Sequence, residues 1–167
     1  MIASFFLNDM KKEVKTNAMR ILDKNKISYK VHTYNVDDGE LDGVSVARKC
    51  NEDPNKVFKT LVTISNTKEH FVFVIPVEDK LNLKEAAKVV GVKSVEMIPQ
   101  KDLLPLTGYI HGGCSPVGMK KLFKTFIYES CINYETIYVS GGKVGIQIEV
   151  NPSDLLKICN AKTFTNQ

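Results

Sequence analysis

The amino-acid sequence predicts an α+β domain built on a mixed or partly closed β-sheet. Its 167 residues, 43% hydrophobic and 25% charged, are typical of one soluble domain with a substantial core. Predicted strands come in hairpins with helices between them, without a regular βαβ repeat, and no low-complexity linker divides the chain. Residues 16–167 are therefore predicted to form one domain. Residues 1–15 are predicted to be a leader and the start of the first helix, with disorder as one alternative for the leader.

Each element follows from a hydrophobic pattern and from residues that mark its ends. Thr16 and Asn151 are suitable helix N-caps, and Gly91 is placed to end a helix. Strands alternate with period two and are separated by turn-forming residues. The predicted order is helix 16–25, strand 27–34, helix 44–50, a hairpin of strands 57–64 and 70–75, helix 83–90, strand 95–97, an irregular or helical link 99–106, strands 125–128, 136–140 and 145–150, and helix 151–159.

The most informative residue is Lys59, because it interrupts an apolar strand. Residues 57–64 alternate, yet both faces are largely apolar, as in a central strand covered on both sides. An ammonium group in such a strand needs a partner, a place at the mouth of a cleft, or loss of its charge. The alternative is that its four-carbon stem crosses apolar surface while the ammonium group stays in water.

Two glycine-rich segments favour a binding site. Residues 112–116, Gly-Gly-Cys-Ser-Pro, would let the backbone approach a ligand and offer N–H groups to an oxyanion or a carbonyl. A plain tight turn is the alternative. Residues 140–143 form a second such turn, which lacks the spacing of a Walker-type phosphate loop.

Composition argues against several other classes of protein, namely strongly polyanion-binding, disulfide-rich, metal-binding and membrane-spanning ones. A net charge of +4 predicts no strong field for polyanions, although Lys120, Lys121 and Lys124 form either a local basic face or an ordinary solvated run. The four scattered cysteines predict reduced thiols and a cytoplasmic protein, with no disulfide framework and no metal site. The longest apolar run, residues 71–77, is too short for a membrane span, which takes about 20 residues.

Cys114 near His111 raises the alternative of a thiol nucleophile. No third partner is visible in the sequence, and a buried or surface thiol is the commoner role for such a cysteine. No cofactor is predicted.

Five segments in order resemble the YbaK/EbsC family, the free-standing relatives of the prolyl-tRNA synthetase editing domain. The resemblance runs from about Thr16 to Ala161. A lysine–threonine strand, a GGxSP loop and a YVSGGK strand in one chain make a specific signature. The segments are 25–28 (NKIS), 32–34 (HTY), 57–61 (VFKTL), 108–116 (GYIHGGCSP) and 136–143 (TIYVSGGK).

The resemblance implies an aminoacyl-tRNA deacylase that hydrolyses the ester of a wrong amino acid in trans, typically cysteine on the proline tRNA. Mischarged alanine and serine are the alternatives from related branches. The implied fold is a mixed β-sheet, partly barrel-like and flanked by helices. The implied partners are the acceptor end of tRNA(Pro) and, for tRNA selection, prolyl-tRNA synthetase, with neither membrane nor metal.

Residue by residue, the resemblance implies two catalytic positions, Lys59 in the pocket and Gly112 in the loop that contacts the scissile end. Strand alternation points Lys59 and Thr60 in opposite directions, so Thr60 is expected to contribute its backbone or packing. The implied substrate-binding residues are Tyr34, Thr60, Gly113, Ser115, Pro116 and Gln147.

Two departures from the family pattern concern amino-acid specificity. Gln147 stands where members of the cysteine type often carry Asp, and a neutral amide cannot act as a base or an ion-pair partner. Leu41 or Asp42 stands where an aromatic residue is expected. Gln147 thus leaves open a second class of function, in which the protein is a module that binds aminoacyl-tRNA ends or a nucleotide without hydrolysing them. A small-molecule esterase or thioesterase is a third alternative.

The predicted mechanism relies on positioning, since no side chain is an evident nucleophile or general base. Lys59 would hold the terminal phosphate or the ester region, and backbone groups of Gly112 and Gly113 would hold the carbonyl. The attacking group would be the cysteine thiol or a water molecule oriented by a ribose hydroxyl.

Overall fold

In the computed structural model, residues 15–166 are described, and most of the predicted leader lies outside them. The division into a leader and one domain therefore stays a prediction. The strands of the described part are β1 Tyr29–Thr33, β2 Phe58–Ser65, β3 His70–Pro76, β4 Val95–Met97, β5 Lys124–Tyr128, β6 Ile137–Lys143, β7 Ile146–Val150 and β8 Lys162–Phe164. The α-helices are α1 Asn17–Lys24, α2 Gly43–Lys49, α3 Leu83–Val90, α4 Leu103–Thr107 and α5 Pro152–Ile158, with 3₁₀ turns at Pro54–Lys56, Gln100–Asp102 and Glu129–Asn133.

The helices begin and end where their capping residues require. Thr16 Oγ1 accepts from the Met19 N–H at the start of α1, and Asn151 Oδ1 caps α5. Gly91 ends α3 in the left-handed conformation with φ 75°. These boundaries confirm the predicted ones to within a residue or two.

The strands form two sheets. A three-stranded antiparallel sheet has the order β1-β7-β6, and a five-stranded mixed sheet has the order β4-β2-β3-β5-β8. In the second, β2–β3 is the predicted antiparallel hairpin, while β3–β5 and β5–β8 are parallel. The predicted α+β class with mixed strands is confirmed.

The partly barrel-like closure requires a correction, because the two sheets do not close into a barrel. Within the described residues they are joined by a single parallel bridge between Val57 and Tyr138. Further along β2, β4 pairs only with Thr63–Ser65. Residues 58–61 thus have no strand neighbour on that side, and a cavity occupies the gap.

The main core lies between the two sheets and is closed by α1 and α5. It includes Val74 and Ile127 from the larger sheet, Val139 and Ile148 from the smaller one, and Leu22 from α1. The other face of the larger sheet packs Phe73 and Ile75 against α3. β2 is therefore covered on both faces, as predicted, which makes its one lysine unusual.

Residues 15–166 contain no helix of the length and hydrophobicity that crossing a membrane requires.

Candidate active site

A cavity of about 560 Å³ opens beside the free edge of β2. Its volume is within the range of small-molecule sites, roughly 300–1,000 Å³. The wall combines five parts of the chain: Tyr34 after β1, the start of α2, residues 57–62, the segment from Met97 to Leu103, and the loop 111–114. Val77 after β3, Ser140 of β6 and Gln147 of β7 complete it.

The strand edge offers unpaired backbone groups to this cavity. Val57 C=O accepts from Val77 N–H at 2.9 Å on the β3 side, whereas Val62 C=O accepts from Ile98 N–H at 3.2 Å on the opposite side. Backbone groups of alternate residues in an antiparallel strand point to the same edge, so Thr60 points its N–H and C=O with those of Val62. Within the described part of the chain, neither group of Thr60 has a hydrogen-bond partner.

Lys59 lies on the same stretch of β2 and lines the cavity. It is half-buried, and its ammonium group makes no ion pair or hydrogen bond with any residue from 15 to 166. Burial lowers the pKa of Lys59 below its ordinary value, a shift that the nearby Asp79 carboxylate opposes and Lys80 reinforces. The cation is therefore available to an anionic or electron-rich ligand.

Three residues of the cavity lining carry buried polar side-chain atoms without a partner. Among the described residues, four buried side-chain polar atoms have no hydrogen-bond partner: Tyr34 Oη, Thr60 Oγ1, Gln147 Oε1 and Ser130 Oγ. The first three belong to residues that line the cavity. Most buried polar groups in proteins are paired, so this concentration indicates a site built for a polar ligand.

Backbone pairing fixes the positions of Tyr34 and Gln147. Gln147 lies in β7 between His32 of β1 and Ser140 of β6, and its residue is only 6% exposed. Tyr34 directly follows β1, where its N–H donates to Gly145 C=O at 3.0 Å. Both side chains are thus placed by the smaller sheet.

The glycine loop contributes Gly112, but not Gly113, to the cavity wall. Gly112 has φ +86°, a conformation that favours glycine. Gly113 N–H donates to Ile110 C=O at 2.9 Å, so the predicted second oxyanion donor is already engaged within the loop. The N–H groups of Gly112 and Cys114 have no acceptor within residues 15–166.

Ser115 and Pro116 lie behind the cavity and do not line it. Ser115 is fully buried, and its Oγ accepts from Val117 N–H at 3.2 Å. Pro116 C=O accepts from the Cys159 thiol at 3.4 Å. As placed, the two residues hold the shape of the loop, and the structure brings neither into contact with the space a substrate would occupy.

The cavity-lining thiol is poorly suited to nucleophilic attack. Burial raises the pKa of Cys114 to about 12, so the thiol stays protonated at neutral pH. Its hydrogen-bond partner is Thr107, whereas His111 is exposed and has no orienting partner among the described residues. All four cysteines are free, as their spacing predicts.

The sequence pattern of the aminoacyl-tRNA editing domain family matches residues 42–158. The chain belongs to this family. It is also 44% identical to a candidate Cys-tRNA(Pro)/Cys-tRNA(Cys) deacylase, EbsC, from Enterococcus faecalis (strain ATCC 700802 / V583). That alignment extends over 152 residues and covers 91% of this chain and 93% of the relative. The predicted membership of the YbaK/EbsC family is confirmed.

Solved structures with the same fold are more distant in sequence. A candidate trans-editing enzyme for prolyl-tRNA synthetase superposes with a TM-score of 0.74 at 20% identity, over 82% of this chain and 85% of that one. The hypothetical protein APE2540 superposes with a TM-score of 0.82 at 18% identity, over 90% of this chain and 98% of that one. At such identities the likeness shows the fold.

Membership of the editing-domain family makes this chain an aminoacyl-tRNA deacylase that acts on the ester of an aminoacyl-tRNA. The cavity of this editing domain contains five of the predicted site residues. They are Tyr34, Lys59, Thr60, Gly112 and Gln147. Within the described residues, no group of three or more His, Cys, Asp and Glu side chains could hold a metal ion.

Sequence reasoning named Leu41 and Asp42 only as the place of an absent aromatic residue, and it missed most of two parts of the editing-domain cavity wall. One is the start of α2, where Asp42 accepts from both the N–H and the hydroxyl of Ser45, at 2.9 and 2.7 Å. Those hydrogen bonds hold the pKa of Asp42 below its usual value, so its carboxylate is charged but occupied as a helix cap. The other is the segment Met97–Leu103. Apart from Leu41 and Asp42, the residues of these two parts carry no sequence signal for binding.

Proposed function

We propose that this editing domain hydrolyses cysteinyl-tRNA(Pro) in trans, with the aminoacylated 3′ adenosine in the cavity beside β2. The observation that carries the proposal is that Lys59 lines the cavity together with three residues whose buried polar side-chain atoms have no partner. A buried polar group without a partner costs about 1–3 kcal/mol. An aminoacyl ester supplies the amino group, the carbonyl and the ribose hydroxyls that would pair with these groups. The cysteinyl substrates in the relative's name support the choice of amino acid.

The reaction breaks the bond between the carbonyl carbon and the ribose oxygen. In one form, water adds to the carbonyl carbon, the ribose oxygen leaves with a proton, and cysteine is released as the free acid. In the other, the substrate thiol forms a carbon–sulfur bond, its proton goes to the departing ribose oxygen, and water then opens the cyclic thioester. The second form needs no nucleophile from the protein, which suits a wall whose own thiol, Cys114, is protonated.

In this proposal each residue of the cavity has a role that follows from its position. Lys59 attracts the terminal phosphate and the negative charge that develops on the carbonyl oxygen. The N–H groups of Gly112 and Thr60, both without acceptors, donate to that oxygen. Tyr34 and Gln147 hold the amino-acid end through their unpartnered oxygens. The rate enhancement comes mainly from holding an activated ester in a reactive geometry.

Size alone cannot separate cysteine from its competitors. Alanine lacks the sulfur atom of the cysteine side chain, and serine has an oxygen atom in its place. Differences of that scale let an apolar pocket discriminate between amino acids only about 10- to 200-fold. A thiol that takes part in the reaction would discriminate further. Selection of the tRNA would come in part from prolyl-tRNA synthetase, acting as a partner that presents the mischarged end.

The test is deacylation of cysteinyl-, alanyl- and seryl-tRNA(Pro) by the wild-type protein and by Lys59→Met. Methionine keeps an unbranched apolar side chain, so packing along β2 is preserved. We expect the wild type to release cysteine fastest and Lys59→Met to be slower by roughly 10²- to 10³-fold. Lys80→Met, which removes a neighbouring charge outside the cavity wall, is the matched control and should stay within about threefold of wild type.

The other outcomes identify which part is wrong. Wild-type activity in a folded Lys59→Met protein contradicts the role of Lys59. Faster release of alanine or serine reassigns the amino acid. If no ester is cleaved while aminoacyl-tRNA still binds, the protein is the non-catalytic binding module that neutral Gln147 favours.

A further inference from the structure

One segment beside the cavity carries basic residues without any acidic residue. Residues 103–128 contain three lysines, Lys120, Lys121 and Lys124, and no acidic residue. The other 141 residues carry 20 basic side chains against all 19 acidic ones. Segment 103–128 therefore has a net charge of +3, and it also supplies His111, Gly112 and Cys114 to the cavity wall. Residues 15–30 form another basic stretch, with a net charge of +4, but none of them lines the cavity.

Two exposed lysines flank that part of the wall. Lys120 donates its N–H to Thr107 C=O at 3.0 Å, and its side-chain stem lies against Gly108, where an added Cβ would be 3.3 Å from Lys120 Cγ. Lys143 approaches from the β6–β7 turn, where its carbonyl carbon would be 3.1 Å from a Cβ on Gly113. Both lysines are exposed, and neither forms an ion pair with residues 15–166.

Other segments near the cavity carry acidic residues. Residues 37–42, which lead into α2, hold Asp37, Asp38, Glu40 and Asp42 without a basic residue. The turn after β3 holds Glu78 and Asp79. Lys49 pairs with Asp38 and Arg48 pairs with Glu40, and Lys80 directly follows Asp79. These acidic residues are therefore partly neutralised, whereas Lys120 and Lys143 beside loop 108–113 have no acidic partner among residues 15–166.

We propose that Lys120 and Lys143 form a phosphate-binding border that guides the acceptor stem of tRNA past loop 108–113 while its 3′ end occupies the cavity. This inference rests on the proposed function, because it takes an aminoacyl-tRNA as the ligand. Backbone phosphates carry no sequence information, so the border supplies affinity and orientation and leaves tRNA choice to other contacts. Lys121 and Lys124 are also exposed, and neither lines the cavity.

The test is equilibrium binding of uncharged tRNA(Pro), which requires no hydrolysis. Fluorescence anisotropy between 50 and 200 mM KCl would compare wild type, Lys120→Gln/Lys143→Gln and the control Lys157→Gln/Lys162→Gln. The control lysines are exposed and form no ion pair with described residues, and their elements, α5 and β8, contribute nothing to the cavity wall. Glutamine keeps most of each stem, so the packing of Lys120 on Gly108 is preserved.

For Lys120→Gln/Lys143→Gln we expect Kd to rise about 5- to 30-fold at 100 mM KCl. The slope of log K against log salt should become shallower by about two, close to one for each lost phosphate contact. The control should stay within about twofold. With cysteinyl-tRNA, the same variant should show a raised KM and an unchanged kcat.

The proposal is overturned if Lys120→Gln/Lys143→Gln binds tRNA(Pro) with the affinity and the salt dependence of the wild type. An equal loss in the control also overturns it, because binding is then spread over the whole surface. If wild type hydrolyses no aminoacyl-tRNA but the binding difference persists, the border stands and the proposed function fails.

Discussion

A single methyl group at Gly113 should push the loop 111–114 of the cavity wall away from the β6–β7 turn that packs against it. A Cβ at this position would lie 2.9 Å from Val144 N, 3.1 Å from Lys143 C and 3.2 Å from Lys143 Cα. Carbon atoms prefer about 3.5–4.0 Å, and these neighbours are backbone, so relief requires the loops to move apart by about 0.5–1 Å. Such overpacking typically costs about 1–3 kcal/mol of unfolding free energy.

The same shift should reduce deacylation more than it reduces stability. A misplacement of about 1 Å in a catalytic arrangement can cost about 10²-fold in rate, and Gly113 immediately follows the proposed oxyanion donor. We therefore expect Gly113→Ala to lose about 10²-fold in kcat for cysteinyl-tRNA(Pro). Its Tm should fall by about 2–4 °C for each kcal/mol lost.

Gly112→Ala is the matched comparison because it introduces strain without a backbone collision. Its added Cβ meets only Val144 Cγ2, at 3.5 Å, although the φ of +86° costs an alanine about 1–2 kcal/mol. We expect a similar loss of Tm but a smaller loss of kcat than for Gly113→Ala. Urea unfolding and single-turnover deacylation on both variants measure the two effects separately. Wild-type kcat and Tm in Gly113→Ala would refute the argument that this close approach positions the site.

Three further substitutions test single features of the structure. Tyr34→Phe removes a buried hydroxyl that has no partner, so the free energy of unfolding measured in urea should stay equal or rise by up to about 1 kcal/mol. The kcat/KM for deacylation should fall about tenfold. A clear loss of stability would mean that the hydroxyl has a partner. Cys114→Ala and His111→Gln should each retain kcat within about threefold, because the thiol is protonated and the imidazole lacks an orienting partner; a 10³-fold loss in either would restore a thiol nucleophile. Hydrogen bonds, first from Thr136 and then from His32, lower the pKa of Glu149 in the folded protein. The charged carboxylate therefore stabilises the fold above the unfolded-state pKa of 4.5, and this stabilisation is lost as the pH falls through the folded-state pKa. Glu149→Gln should therefore flatten the thermal stability profile below about pH 5, and an unchanged acid profile would contradict this assignment.

Local sequence signals were sufficient for most of the fold. The cap at Thr16, the left-handed Gly91 and the alternation along residues 57–64 each depend on neighbours within a few positions, and the structure confirms all three. The strand Lys162–Phe164 was not predicted, because its three residues become a strand only by parallel pairing with β5. The division into two sheets was also missed, since it depends on β2 and β6 meeting at one bridge.

The site was predictable where one residue conflicts with its surroundings. Lys59 in an apolar strand is visible without a structure, and the family resemblance added Tyr34 and Gln147, which the fold places on the same wall. The start of α2 reaches the cavity by close packing, with a Cβ on Gly43 only 2.5 Å from Val77 Cγ1. That approach joins residues over thirty positions apart and leaves no local pattern. The sequence motif also gave no sign that the Gly113 N–H group is hydrogen-bonded to Ile110 C=O within its own turn.

The cavity wall departs from the rule that buried polar groups are paired, and this departure explains how the site can work without a strong base. Each unpaired oxygen or N–H group makes the ligand-free wall less stable, and the two-sided core around β2 holds these groups in place. Groups already fixed in direction need no reorganisation when charge develops on an ester carbonyl. The described wall offers one half-buried ammonium at Lys59, one carboxylate occupied as a helix cap at Asp42, and a protonated thiol at Cys114. Such a wall can orient and polarise an ester but supplies no activated nucleophile, so the choice among small amino acids should depend on which of them brings its own.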